Sequence, residues 1–426
     1  MKRLATRGPA PASAHSATAG KKAGHYVYLL PLLFVAIVTA AAPTLAPTGP
    51  TTLSAFLKSA IDRGDVPGAV VAVVNKDGVL YNEAFGQAST ASHRAMAKDT
   101  IFNIASMTKA VTSAAIMMLA DEGKLKVDDE VGKYLPKYKD PLVISTFNDA
   151  DASYETRPAK RQITIRHLLT HTSGIGYSFS SPTLAKIMAK TKKTELDLPL
   201  LFDPGDNWAY GASTRVLGSV VEAISGQKLD AFLQARILGP LGMKDTSYLV
   251  PMDKYSRVVA VSARGNDGTF AEQPMPPTLT ANVAGDGGLY STASDYSQFL
   301  RMLLNRGKAG SARILSENAV KTMFENHTGS VVVPLQQSTN LSLSKNFPTG
   351  AGKEHWGLGF QLAAERVPNR RSPGSGTWAG IFNTHFFIDP AKEVGVVVMM
   401  QTLPFYDEAS MGVYAGVEEA VYKNLK

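Results

Sequence analysis

The feature that most constrains the fold is an apolar run that opens with a serine and a lysine. In NIASMTKAVTSAAIMMLADEGK, residues 103–124, only one threonine and one serine interrupt the apolar residues after the lysine. A helix that is apolar on every side is buried, and the Asp-Glu-Gly sequence that follows is a typical helix stop. Ser106 and Lys109 stand one helical turn apart at its start. A lysine there costs free energy unless its charge is paired or used, so the chain must fold around a buried helix with an amine at its mouth.

The first 42 residues form a basic and then apolar leader. They hold five Lys and Arg and no acid, so they supply five of the eight net positive charges and leave a net charge of +3 (8 − 5) on the rest of the chain. That excess is too small to favour nucleic acid as a partner. The basic stretch followed by YVYLLPLLFVAIVTAAA, 26–42, is typical of a signal peptide cleaved near Ala40-Ala41-Ala42. We expect residues 1–46 to direct the protein to the periplasm or the medium, or, as the alternative, to anchor it in the inner membrane.

The rest of the chain reads as one domain with strands at both ends and helices between. After a linker at 47–52, helical spacing starts at Leu53, and GAVVAVVNKDGVLYNEAFG reads as a hairpin with its turn at NKDG. The segment from about 140 to 285 is mostly helical patches and loops. Strand patterns return in GIFNTHFFIDP and EVGVVVMM, and a last helix is expected at 411–424. The pattern predicts an α+β domain, 53–426, with a helical insertion in one sheet domain.

The Ser-x-x-Lys spacing at Ser106 predicts a nucleophile with an adjacent base. The hydroxyl and the amine share one helix face, the helix start favours the alkoxide, and a desolvated lysine can accept a proton. The pattern recurs at Ser225–Lys228 and Ser342–Lys345, but one match spans a probable helix end and the other lies in a polar, loop-like stretch. Only Ser106 opens a buried helix, so the context selects it.

Two further segments supply the other parts that acyl transfer needs. In FDPGDNWAYGAST, Tyr210 ends a Pro/Gly loop just before a helix, where a phenol near an ammonium can act as acid or base. In GSGTWAGIFNTHFF, Trp378, Ala379 and Gly380 lead into a strand, and their small residues would let a backbone N–H approach an oxyanion.

Together these motifs resemble the serine β-lactamase and penicillin-binding-protein superfamily, specifically its class C-like branch with the family VIII carboxylesterases. Ser106-Met-Thr-Lys109 resembles the nucleophile motif, Tyr210 the catalytic tyrosine, and Trp378-Ala379-Gly380 the third motif. HLLTHTSGI, FDPGDNWAY and GDGGLYSTASDYSQFLRMLL are similar to structural signatures of that family. The resemblance covers about residues 53–425 and implies an antiparallel sheet flanked by helices, with a mostly helical inserted subdomain.

The resemblance also implies a mechanism. Ser106 would attack an acyl carbonyl while Lys109 and Tyr210 relay its proton, and Tyr210 would later activate water. The oxyanion would be held by the backbone N–H groups of Ser106 and Ile381, the residue after the third motif. Which of Lys109 and Tyr210 is the resting base stays open, because a coupled pair titrates jointly.

Two departures from the β-lactamase pattern favour an ester substrate. The second motif reads Tyr-Gly-Ala, so Ala212 stands where β-lactamases carry an asparagine amide that would bind the acylamino arm of the antibiotic. Trp378 replaces a lysine that would face the substrate carboxylate, and an aromatic wall suits a neutral, apolar ester. We therefore expect contacts to substrate from Trp378, Ala379, Gly380 and Ala212, and a carboxylesterase acting on short- to medium-chain esters.

Other interpretations of the same residues remain. Ser106 could be a simple helix cap with Lys109 reaching solvent. His167 and His171 stand four apart like a zinc pair, but the glutamate of His-Glu-x-x-His is missing, so they are expected to be hydrogen-bonded structural residues. Gly285-Asp286-Gly287-Gly288 lacks the rest of a nucleotide fingerprint and is interpreted as a turn before a helix. No cofactor or metal is expected.

Three other functions use the same acylation residues. A β-lactamase or a D-amino-acid peptidase is the first alternative, although Ala212 and Trp378 disfavour both. A penicillin-binding sensor that is acylated once and turns over slowly is the next. The expected partner is in each case a small molecule, with a membrane tether if the leader is retained.

Overall fold

The hairpin predicted near the start of the chain forms two adjacent strands of the main sheet, sixth and seventh in the order of eight. The computed structural model describes residues 41–279 and 281–426. The two strands flank a turn in which Asn75 Oδ1 accepts hydrogen bonds from the N–H groups of Asp77 (2.8 Å) and Gly78 (2.7 Å). Such an Asx turn reverses the chain, and the Asn75 N–H closes it by donating to the Gly78 carbonyl oxygen at 3.0 Å. The hairpin prediction is confirmed.

The described residues form nine α-helices. They are α1 Gly49–Asp62, α2 Thr108–Asp121, α3 Ile165–Leu169, α4 Pro182–Thr191, α5 Ser213–Ser225, α6 Leu229–Leu233, α7 Ala293–Leu304, α8 Glu317–Met323 and α9 Glu408–Asn424. Single 3-10 turns occupy Ala105–Met107, Val131–Lys133, Pro136–Tyr138, Ser178–Ser180, Glu195–Asp197 and Met252–Arg257, and a π-helical turn, Gln234–Leu238, extends α6.

The same residues form seventeen strands, most of them short. They are β1 Gly68–Asn75, β2 Val79–Ser89, β3 Arg94–Ala95, β4 Phe102–Asn103, β5 Leu142–Phe147, β6 Tyr154–Pro158, β7 Ser262–Arg264, β8 Phe270–Glu272, β9 Tyr290–Ser291, β10 Lys308–Ala309, β11 Ala312–Arg313, β12 His355–Trp356, β13 Gln361–Leu362, β14 Gly376–Gly380, β15 Thr384–Asp389, β16 Val394–Met399 and β17 Thr402–Leu403.

Eight of these strands make one antiparallel sheet in the order β12-β13-β14-β15-β16-β1-β2-β3. The β1–β16 register pairs Val70 with Met399, so the N-terminal hairpin joins the C-terminal strands. Every residue of β1 is buried, because helices cover both faces. Val70, Ala72 and Val74 face one core with α2 and α7, and the alternate residues face another with α1 and α9. The predicted α+β fold with an antiparallel sheet flanked by helices is thereby confirmed.

The predicted boundaries differ from the structure at three places, one of which is the last helix, which begins at Glu408 and not at residue 411. α1 begins at Gly49, so part of the predicted 47–52 linker is helical; Pro50 is tolerated there because the first turn needs no N–H from it. The region from 140 to 285 holds α3–α6, as expected, but also the hairpin β5–β6 and the pair β7–β8. The β5–β6 strands are largely exposed and short, so their sequence carries little periodicity.

Residues 42–426 cluster as one compact unit. The leader expected at 1–46 falls almost wholly outside the described residues. Among the helices of 41–279 and 281–426, none has both the length and the apolar character that crossing a bilayer requires.

Candidate active site

Ser106 lies in a strained turn at the start of the buried helix. The 3-10 turn Ala105–Met107 runs directly into α2. Ala105, just before the serine, has φ of 42°, a left-handed conformation that costs a residue with a Cβ about 1–2 kcal/mol. The Asn103 side chain stabilises this turn by accepting a hydrogen bond from the Ala105 N–H (3.0 Å). Such strain at a serine that remains partly exposed is typical of a functional site.

Lys109 is buried and donates to three fixed oxygens. Its side chain is 2% exposed. The ammonium nitrogen lies 3.2 Å from Ser106 Oγ, 3.1 Å from Tyr177 OH and 2.8 Å from the Asp286 carbonyl oxygen. If Lys109 is the neutral amine, its two hydrogens serve Tyr177 and the Asp286 carbonyl, and its lone pair points at the Ser106 hydroxyl. The arrangement can therefore make Lys109 a general base toward Ser106.

Tyr177 is held as a neutral phenol by Asp286. The Tyr177 hydroxyl donates a short hydrogen bond to Asp286 Oδ2, and Arg215 Nε donates to Asp286 Oδ1 at 3.0 Å. Burial first, and then the Asp286 carboxylate, raises the pKa of Tyr177 well above its ordinary value. Because its proton is committed to Asp286, the Tyr177 oxygen can only accept from Lys109. Tyr177 therefore orients Lys109 rather than competing with it as a base.

Tyr210 lies on the other side of the same amine. Lys109 Nζ is 4.8 Å from the centroid of the Tyr210 ring, a cation–π distance, and the hydroxyl of Tyr210 accepts from Trp378 Nε1 at 3.2 Å. The direct phenol partner of Lys109 is thus Tyr177, which the sequence analysis did not identify. A proton-transfer role for Tyr210 stays a prediction.

A glycine explains how the two tyrosines meet. A Cβ on Gly211 would lie 1.9 Å from the Ile175 carbonyl oxygen, so only glycine allows the loop before α5 to approach the chain at 175–177. The Tyr177 N–H bonds the Tyr210 carbonyl at 3.1 Å across this contact. Gly211, at the middle position of the second motif, is required for backbone packing.

An aromatic cluster closes this side of the site. Tyr210 packs at centroid distances of 4.9 Å from Trp378 and 5.2 Å from His171, and Trp356 lies 4.7 Å from Trp378. Burial, and then the nearby Lys109, lowers the pKa of His171 well below its ordinary value, so its imidazole is neutral. The cluster surrounds the amine with buried aromatic rings on this side of the site.

The third motif lies against the nucleophile turn. A Cβ on Gly380 would lie 2.4 Å from the Ile104 carbonyl oxygen, so a side chain there would push the end of β14 away from the residues that precede Ser106. Ile381 follows directly and is a partly exposed residue. Its role as an oxyanion donor with Ser106 stays a prediction that this close approach makes geometrically reasonable.

The remaining predicted site residues occupy different positions. Trp378 and Ala379 are each 5% exposed on β14, beside the site. Ala212 is fully buried at the cap of α5 and offers no surface to a ligand, so we leave it out of the proposed contacts. The segment Gly285-Asp286-Gly287-Gly288 is predicted only as a turn, whereas in the structure Asp286 contacts both Tyr177 and Lys109.

His167 and His171 do not share a ligand position. His167 Nδ1 accepts from the Thr164 N–H at 3.1 Å in a capping box at the start of α3, which confirms a structural role. His171 packs among aromatic rings instead, and its Nδ1 is buried without a hydrogen-bond partner. Within residues 41–279 and 281–426, no group of three or more His, Asp or Glu side chains is placed to hold a metal ion.

Comparison with known proteins identifies the family. The sequence profile of the family described as Beta-lactamase matches residues 53–418. Protein Rv1367c of Mycobacterium tuberculosis is 31% identical over 369 residues, 82% of this chain and 89% of the relative. Lovastatin esterase of Penicillium rubens is 30% identical over 371 residues, 82% of this chain and 92% of the relative.

A solved structure agrees with this assignment. Unliganded simvastatin synthase from Aspergillus terreus, as its selenomethionyl derivative, superposes with a TM-score of 0.77 at 25% identity, over 88% of this chain and 98% of the other. The chain belongs to the Beta-lactamase family and hence to the serine β-lactamase and penicillin-binding-protein superfamily, whose relatives here include esterases and acyltransferases.

Proposed function

We propose that this member of the Beta-lactamase family is a carboxylesterase that cleaves short- to medium-chain, uncharged esters through an acyl-enzyme on Ser106. One observation carries the proposal: Lys109 is buried with its Nζ 3.2 Å from Ser106 Oγ, and the two hydrogens of its neutral amine have fixed acceptors in Tyr177 OH and the Asp286 carbonyl oxygen. A capping serine beside a solvated lysine would need neither the burial nor the acceptors.

In the acylation step, Ser106 Oγ bonds to the ester carbonyl carbon while its proton moves to Lys109 Nζ. The carbonyl electron pair moves onto oxygen, where the N–H groups of Ser106 and Ile381 stabilise it. When the C–O bond breaks, the alkoxide takes up a proton from Lys109, directly or through Tyr210, and leaves as the alcohol. Water then attacks the acyl carbonyl while Tyr210 or Lys109 accepts its proton. The bond between the acyl carbon and Ser106 Oγ breaks, that proton passes to Ser106 Oγ, and the carboxylic acid leaves.

The third motif supports an uncharged substrate. Trp378 presents an indole that donates to Tyr210 at 3.2 Å, where the resemblance would place a lysine in a β-lactamase. A neutral donor stabilises a substrate carboxylate less than an ammonium does, and the position of the missing amide, Ala212, is buried. The relative named lovastatin esterase supports an ester as the substrate.

The test is a panel of three substrates with the purified protein and its Ser106→Ala variant. Repeated release of p-nitrophenol from p-nitrophenyl butyrate, lost in the variant, supports the esterase. Preferred turnover of nitrocefin or of a D-alanyl-D-alanine peptide supports the lactamase or peptidase alternative, and a single stoichiometric burst supports the slowly deacylating sensor. Unchanged ester hydrolysis in Ser106→Ala would overturn the assignment of the nucleophile.

We also propose that the protein is exported, with residues 1–46 as signal or inner-membrane anchor and 53–426 as the hydrolase domain. The support is the charge and hydropathy pattern of the leader. N-terminal sequencing of the protein from periplasmic and membrane fractions distinguishes cleavage from retention.

A further inference from the structure

Arg215 lies in the first turn of α5, five residues after Tyr210. The start of a helix carries a partial positive charge, so the helix dipole opposes a cation at this position. The side chain of Arg215 is 39% exposed, whereas the Asp286 side chain that it contacts is only 3% exposed. The helix itself does not favour an arginine here, so we looked for the role of Arg215 in that contact.

A glycine brings Asp286 to this arginine. A Cβ on Gly285 would lie 2.3 Å from the Thr214 carbonyl oxygen, so only glycine lets the loop before β9 lie directly on the first turns of α5. Arg215 Nε then donates to Asp286 Oδ1 at 3.0 Å. The close packing of loop and helix therefore holds the guanidinium against the buried carboxylate.

The carboxylate of Asp286 is a buried charge that needs a cation. Its other oxygen accepts from the Tyr177 hydroxyl, which is neutral. Among the residues that the structure describes, Arg215 is the one that forms an ion pair with this carboxylate. Burial opposes the charge of Arg215, but Asp286 outweighs burial and raises the pKa of Arg215 above its ordinary value. Lys109 also contacts this aspartate, but at its carbonyl oxygen, 2.8 Å from Nζ.

Without Arg215, the charge of Asp286 would be balanced in one of two other ways. An unpaired buried carboxylate favours the ammonium form of a neighbouring lysine, or it takes up a proton itself. An ammonium at Lys109 cannot accept the Ser106 proton. A protonated Asp286 would leave the Tyr177 hydroxyl free to donate to the Lys109 lone pair. Either change takes that lone pair away from Ser106.

We propose that Arg215 is a positioning residue for acylation: its guanidinium neutralises Asp286, so that Lys109 stays an uncharged base directed at Ser106. Arg215 acts through Asp286 and Tyr177 and not through contact with the substrate. The inference rests on the proposed esterase function and adds to it the charge that keeps the base neutral.

The ionisable groups around this base determine how a pH profile is interpreted. Lys109 faces Tyr177, Tyr210 and His171; Asp286 faces Tyr177, Arg215 and Tyr248; and Glu195 is a second carboxylate that acts on Arg215. Burial first, and then Asp286, raises the pKa values of Tyr177 and Tyr248, and His171 is neutral. Raising the pH from 7 to 9 should therefore remove the proton that the loss of Arg215 adds.

The test is Arg215→Ala, assayed with p-nitrophenyl butyrate for kcat and KM separately at pH 7 and pH 9. Arg157→Ala is the matched control, since Arg157 is also 39% exposed and pairs with a buried carboxylate, that of Asp203, at 2.6 Å. Each variant is also assayed with about 20 mM guanidinium chloride or urea, far below the molar concentrations that unfold proteins. Guanidinium can replace the missing cation in the space that the shortened side chain opens to solvent. Urea has a similar shape and no charge.

We expect Arg215→Ala to lower kcat roughly tenfold or more at pH 7, with KM within about threefold, and the loss to shrink below about threefold at pH 9. Guanidinium, but not urea, should restore most of the lost kcat, and Arg215→Lys should lose less than Arg215→Ala. Arg157→Ala should keep kcat within about twofold and should not respond to guanidinium.

The proposal is overturned if kcat of Arg215→Ala stays within about threefold of the parent protein, if the loss is equal at both pH values, or if guanidinium acts no better than urea. If thermal melting shows that Arg215→Ala does not fold, the kcat and pH criteria apply to Arg215→Gln. Absence of butyrate turnover in the parent protein would instead overturn the proposed function.

Discussion

Replacing Tyr177 by phenylalanine removes one oxygen from the group that orients Lys109. The ring would keep its packing, since Tyr177 stacks on Phe179 at 5.2 Å and meets Tyr210 edge-on at 5.2 Å. What is lost is the acceptor 3.1 Å from Lys109 Nζ and the hydrogen bond donated to Asp286. Lys109 then has one fixed acceptor fewer, and its lone pair is no longer held toward Ser106.

The size of the effect follows from that contact. In the transition state of acylation Lys109 takes up the Ser106 proton and becomes cationic, and a hydrogen bond to a charged group contributes about 1.5–3 kcal/mol. Because each ~1.4 kcal/mol of barrier is a tenfold change in rate, kcat for p-nitrophenyl butyrate should fall roughly 10- to 150-fold. Tyr177 is only 7% exposed and so offers little surface to a substrate, and KM should therefore change little.

The assay is steady-state hydrolysis with separate kcat and KM, after thermal melting has shown that the variant folds. Tyr248→Phe is the matched control: it also removes a buried hydrogen bond, 2.9 Å to the Ala284 carbonyl, but does not touch Lys109. Asp286→Asn should lower kcat as well, and the double variant with Tyr177→Phe should lose less than the product of the single losses. A Tyr177→Phe enzyme within threefold of the parent, or strictly multiplicative losses, would refute the reasoning.

Three further outcomes are expected. Gly380→Ala should lower kcat about 100-fold, because its Cβ would lie 2.4 Å from the Ile104 carbonyl oxygen and would move the third motif by up to about an ångström. A kcat equal to that of the parent protein would argue against the close approach. Trp378→Phe, which removes the donor to Tyr210, should lower kcat about 2- to 10-fold, as for a neutral hydrogen bond, and an unchanged rate would leave that contact without a catalytic role. Burial, and then Arg161, lowers the pKa of His167 to about 4. The contribution of the neutral imidazole to the free energy of unfolding is therefore complete above about pH 6.5 and is lost as pH falls to about 4. Between pH 7.5 and pH 4.5 the melting temperature should fall less in His167→Gln than in the parent protein, and an equal fall would contradict the assignment.

Local sequence patterns predicted two elements of the fold, the β1–β2 hairpin of the main sheet and the buried helix α2. Ser106 and Lys109 could be found because a fully apolar helix leaves few reasons for a lysine at its start. The β1–β2 hairpin could be found because NKDG is a turn sequence between apolar runs. Both predictions depend on residues that are neighbours in the chain.

The contacts around Lys109 could not be predicted in the same way. Tyr177 and Asp286 are 109 positions apart, and only the folded chain brings them to one hydrogen bond. Their sequence context gave a weak signal: a tyrosine follows HTSGIG, and an aspartate lies among glycines in GDGG. Polar residues next to glycines in later loops, such as Tyr177 and Asp286, are therefore candidates for the acceptors of a Ser-x-x-Lys lysine.

Trapping the covalent intermediate tests the central claim most directly. The purified protein is mixed with p-nitrophenyl butyrate, quenched in acid during turnover and digested, and the peptides are analysed by tandem mass spectrometry. The account predicts one butyryl group on the peptide that carries Ser106, assigned to its hydroxyl and absent from the Ser106→Ala variant. A butyryl group on another residue, or continued turnover in Ser106→Ala, would contradict it.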